Sequence, residues 1–70
     1  MKTFGQILRE KRNAKGWTIE ELAEKIGSFR NTVNNWELGH SIPNIYSCID
    51  IADVFECTLD ELVGRNIKGD

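Results

Sequence analysis

Apolar residues in this chain recur at intervals of three and four, and each run is opened by a helix-capping residue or closed by a glycine. No stretch alternates polar and apolar at period two, so strands are excluded and an all-α fold follows. Phe4, Ile7 and Leu8, set among Arg9, Glu10, Lys11 and Arg12, predict an amphipathic first helix that Gly16 ends, with Trp17 packing back onto it. Thr18 and Glu21 have the spacing of a capping box, which starts a second helix lined by Leu22, Ala23 and Ile26 and stopped by Gly27. Phe29 to Leu38 predict a third, with Phe29, Val33 and Trp36 on its inner face. Asn44 caps a fourth, whose inward stripe reads as Ile45, Cys48, Ile49, Ala52 and Phe55. Thr58 and Glu61 repeat the capping box for a short fifth helix with Leu59, Leu62 and Val63 inward. The expectation is a compact five-helix bundle forming a single domain over residues 1–70, with its core in 4–63 and a polar tail in 64–70.

Seventy residues leave room for one core, and 40% hydrophobic with 29% charged residues is a globular composition, not a disordered one. No apolar run approaches the roughly 20 residues that cross a bilayer, and the first residues lack a signal peptide's apolar centre, so a cytoplasmic protein is expected. Cys48 and Cys57 are too few for a secreted disulfide scaffold and fall at apolar positions, where they read as reduced, small core side chains. One histidine in a loop and two cysteines at H-x7-C-x8-C spacing match no zinc set, and no nucleophile stands with a base. The chain therefore reads as a non-enzyme without metal, cofactor or small-molecule ligand. Its net charge of −2 conceals a division: residues 1–43 carry seven bases and five acids, residues 44–70 two bases and six acids.

The third helix stands apart. Its outer face presents Arg30, Asn31, Thr32, Asn34 and Asn35, whereas an ordinary solvated face favours Glu, Lys and Gln; Asn and Thr are indifferent helix formers, so propensity did not select them. The second and third helices, joined by a tight turn at Gly27, make a helix-turn-helix, with Leu22, Ile26, Val33 and Trp36 sharing one core and Ala23 at the close approach. Trp36, at helical spacing from Val33, reads as core and not as a stacking platform for bases.

The motifs F-G-Q-I-L-R-E-K-R from Phe4, E-E-L-A-E-K-I-G from Glu20, R-N-T-V-N-N-W-E-L-G from Arg30, the following Pro43, and L-D-E-L from Leu59 occur in an order and spacing that are specific together. On these, residues 4 to 63 resemble the Cro/repressor-type helix-turn-helix family, also called the xenobiotic-response-element family, of bacterial and phage regulators. The resemblance implies a lambda-repressor-like domain whose third helix enters the major groove of an operator, acting as a repressor and as a homodimer on palindromic half-sites roughly 10 base pairs apart. Arg30, Asn31 and Asn35 occupy the family's base-reading positions, and Thr32 and Asn34 beside them are secondary contacts to a base edge, a thymine methyl or a phosphate. Backbone amides near Thr18 and Ile19 and the Gly39-His40-Ser41 loop are the expected phosphate contacts. Arg12 and Glu37 match a structural salt bridge.

Three departures from the family pattern stand out. Ile19 replaces a common DNA-contacting Gln. Ser28 and Phe29 look exchanged, which moves the expected cap of the third helix to Ser28. His40 stands where Lys or Arg is common, so phosphate affinity is expected to rise as pH falls. Tyr46, Val54 and Ile67 lie off the main apolar stripes and are candidates for the dimer contact. A second functional class stays open: a protein-interaction module, antitoxin-like or regulatory, whose helix-turn-helix does not read DNA.

Overall fold

The computed structural model describes residues 2–64. It contains five helices, α1 (Phe4–Lys15), α2 (Ile19–Lys25), α3 (Arg30–Leu38), α4 (Ile45–Phe55) and α5 (Leu59–Val63), and no strand among the described residues. Local chemistry sets the helix starts. Thr18 and Glu21, and Thr58 and Glu61, form reciprocal capping boxes, and Asn44 accepts from the Ser47 N–H at 2.9 Å. A third box, Thr3 with Gln6, opens α1 and was not anticipated. Left-handed residues end four of the helices: Gly16, Gly39, Gly64 and, unusually for a residue with a side chain, Glu56 at φ 55°.

The core is drawn from every helix. Leu8, Leu22, Val33, Ile51 and Leu62 are fully enclosed, and Ala23, Trp36, Ala52 and Phe55 complete the cluster. α1 and α3 cross at Gly5, where a methyl group would stand 2.6 Å from the carbonyl oxygens of both Trp36 and Glu37. Only a residue without Cβ permits that approach.

Several packing expectations need correction. The α4 stripe that faces the core is Cys48, Ile51, Ala52 and Phe55; Ile45 and Ile49 face solvent. Both stripes satisfy helical periodicity because α4 is apolar on most of its circumference, and the core takes the one centred on Ile51. In α5 only Leu62 is buried, Leu59 and Val63 being exposed. Trp17 keeps α1 in reach, the Lys15 ammonium standing 5.9 Å from its ring centroid, and it also stacks on Phe55 of α4, with ring centroids 5.5 Å apart. Of the dimer-contact candidates, Val54 packs against the core and is half-buried, and Ile67 lies outside the described residues. Cys48 and Cys57 are half-buried free thiols whose pKa burial raises, so they are poor thiolates.

Candidate nucleic-acid interface

The corner between α2 and α3 positions the outward face of α3. Gly27 takes φ +69°, and the Ser28 N–H donates back to the Ala23 carbonyl at 2.8 Å, which closes the turn. That bond holds Ser28 one residue before the cap position, so Ser28 does not cap α3. Phe29 fills the cap position without a side-chain hydrogen bond, and the residue is 78% exposed instead of lying on the inner face. Inside, Val33, Trp36 and Glu37 are buried; outside, Arg30, Asn31 and Asn35 are exposed, with Thr32 and Asn34 half-buried at the flanks. Asn31 and Asn35 are one helical turn apart and therefore neighbours on one face.

The buried side of α3 is locked by charge. Glu37, its side chain wholly enclosed, accepts from Arg12 Nε at 2.6 Å, Arg12 Nη2 at 3.0 Å and Arg9 Nε at 3.3 Å. Arg12 Nη1 also donates to the Trp17 carbonyl at 2.8 Å, so one guanidinium ties α1 to both α3 and the α1–α2 turn. The hydrogen bond to Glu37 raises the Arg12 pKa against the opposing effect of burial. Among the described residues no buried side-chain nitrogen or oxygen lacks a partner.

On the outer side, Arg30 Nε donates to Glu20 Oε2 at 2.7 Å, and both side chains are more than half exposed. Glu20's own backbone N–H, and then Arg30, hold its carboxyl below the usual carboxylate range. Sequence reasoning missed Glu20 because it lies ten residues before Arg30, and only the Gly27 corner brings the two together. It also missed Arg9, although its i, i+3 spacing with Arg12 was the available signal.

The phosphate contacts expected from backbone amides are altered by the structure. The Thr18 N–H donates to Glu21 Oε1 at 2.7 Å, and the first turn of α2 carries both Glu20 and Glu21, so this helix end is occupied by the chain's own acids. The Ile19 side chain packs on the core. In the loop, the Gly39 and His40 N–H groups close the end of α3 on the carbonyls of Trp36 (3.2 Å) and Asn35 (2.9 Å). They form no amide cradle. The His40 and Ser41 side chains are exposed.

This geometry, a tight two-helix corner with a polar outer face on its second helix, is shared with known proteins. A family model described as helix-turn-helix matches residues 8–62. The chain belongs to the helix-turn-helix family. This helix-turn-helix chain is 34% identical over 58 residues to the HTH-type transcriptional regulator AnsR of Bacillus subtilis, a match covering 83% of the chain and 50% of AnsR. It thus spans half or less of the curated relatives it first matches. Among solved structures, the P22 c2 repressor in complex with a synthetic operator superposes with a TM-score of 0.86 over the full length of both chains at 21% identity, which establishes the fold. SinR, described as the master regulator for biofilm formation and solved in complex with DNA, gives a TM-score of 0.80 at 26% identity, covering 86% of this chain and 97% of its own. The helix-turn-helix chain thus has the five-helix repressor-like fold. No helix among its described residues is long and apolar enough to cross a membrane.

Proposed function

We propose that this helix-turn-helix chain is a sequence-specific double-stranded DNA-binding transcriptional regulator that reads the major groove with α3 and represses by occupying an operator. The carrying observation is that Asn31 and Asn35, one turn apart, and Arg30 beside them project outward, while the opposite side of α3 is locked to α1 through Glu37. A carboxamide pairs with adenine N6 and N7, and a guanidinium with guanine O6 and N7. AnsR's name as a transcriptional regulator and SinR's complex with DNA support the reading. Thr32 and Asn34 are secondary contacts, and His40 and Ser41 take phosphates through their side chains.

One such helix covers few base pairs, so the chain works as a homodimer on palindromic half-sites, at the nucleoid within the cytoplasm. Tyr46, 76% exposed, with Ile45 and Ile49 on the same side of α4, is the surface for pairing.

Selection of bound sites from a random duplex pool tests this. One sequence class should be enriched, and against it Asn31→Ala and Asn35→Ala should each cost about 1–3 kcal/mol and relax one position. Binding should weaken as salt rises. The acidic first turn of α2 favours one rival, a protein-interaction module without DNA reading, and failure to enrich any duplex would install it.

A further inference from the structure

Among the described residues, Arg30 differs from the other base-reading candidates in having a side-chain partner. Its Nε donates to Glu20 Oε2 at 2.7 Å, and this is the one hydrogen bond its guanidinium makes among the described residues. The planar guanidinium carries five N–H donors, and occupation of Nε leaves the Nη1–Nη2 end free, which is the pair of donors that meets guanine bidentately. Glu20 is itself well anchored. It stands in the first turn of α2, and Leu22 and Ala23, two and three residues on, are buried in the core, so the backbone that carries the carboxylate is fixed.

We propose that Glu20 is a positioning residue for base recognition: by holding Arg30 at Nε, it aims the free end of the guanidinium at O6 and N7 of a single guanine. The inference rests on the DNA-reading function proposed above. An arginine without this tether is a long, mobile cation that reaches the nearest phosphate as readily as a base, which adds affinity for every sequence and preference for none. The carboxylate suppresses that use twice. It restrains the side chain, and its charge repels the DNA backbone whatever the sequence. Glu20 therefore raises discrimination while lowering general affinity, and these two effects separate in one binding assay. The ion pair is exposed and contributes little to stability, so its variants remain folded.

The test measures binding of the selected duplex, of its single-base variants and of an unrelated duplex. Arg30→Ala should abolish a preference of about 5- to 150-fold for one guanine. Glu20→Ala should reduce the preference for that same guanine at least about threefold, leave the other positions unchanged, and keep or raise affinity for the unrelated duplex. Glu20→Gln, whose amide oxygen still accepts from Nε, should restore most of the lost preference. In an Arg30→Ala background, Glu20→Ala should change nothing at that position. Full retention of the guanine preference in Glu20→Ala, or equal loosening at every position, overturns the proposal while leaving DNA reading intact. An Arg30→Ala effect confined to overall affinity overturns it as well. If Asn31→Ala and Asn35→Ala also leave binding unaltered, the functional reading fails and this proposal falls with it.

Discussion

Glu37 and Glu20 each hold an arginine, but one carboxylate is wholly enclosed and the other is more than half exposed. Glu37 sits between α3 and α1 with three donors upon it, whereas Glu20 has a single arginine contact across the α2–α3 corner. An enclosed ion pair must offset the desolvation of two charges, so it survives only with complete hydrogen bonding, and loss of one partner strands the other. An exposed pair is screened by water and contributes about 0–1 kcal/mol. The same chemistry thus fixes the roll of α3 on its inner side and only orients a side chain on its outer side.

The contrast can be broken at its strongest point first. Glu37→Ala leaves Arg12 enclosed without its carboxylate and is expected to cost about 3–5 kcal/mol in urea unfolding, a large part of a small domain's stability. A cost below about 1 kcal/mol would show the pair to be dispensable. Gly5→Ala probes the same α1–α3 contact without touching a charge. A methyl 2.6 Å from two carbonyl oxygens must push the helices apart, at an expected cost of about 1–3 kcal/mol, seen as a fall in Tm. Thr58→Ala removes the cap of α5 at about 1 kcal/mol. The Glu61 carboxyl in that box is held below its ordinary value of 4.5, first by the Thr58 N–H. Its contribution is therefore complete above pH 4.5 and is lost as pH falls through the lowered folded value, so Glu61→Gln should flatten this part of the acid dependence of Tm. Smallest of all, Glu20→Ala should change stability by no more than about 0.5 kcal/mol. A larger loss would place Glu20 with Glu37 as a fold-holding residue.

What was legible in the sequence was what is local. Thr18 with Glu21, Thr58 with Glu61 and Asn44 before α4 declare helix starts through contacts three residues away, and all three form. The corner at Gly27 was legible for the same reason. Contacts between helices were harder to read. Gly5 carries no signal of its own, because the atoms that forbid a side chain there belong to α3, more than thirty residues later. The α4 stripe was misread because Ile45, Ile49 and Ile51 are chemically alike, and only the position of the core decides among them. At the candidate site, the outward residues of α3 followed from periodicity, whereas the Glu20 tether and the closed amides of Gly39 and His40 depend on how backbone and side chains meet after folding.

The stacking of Trp17 on Phe55 supplies a built-in optical gauge. Trp17 belongs to the corner between α1 and α2, but its ring partner lies on α4, and the Lys25 ammonium stands 4.6 Å from the ring centroid. Its emission therefore reports whether the second half of the molecule is docked on the first, while Trp36 reports the enclosed side of α3. A Trp36→Phe chain would leave Trp17 as the single tryptophan, and a stopped-flow trace of tryptophan emission on it would time the arrival of α4 directly.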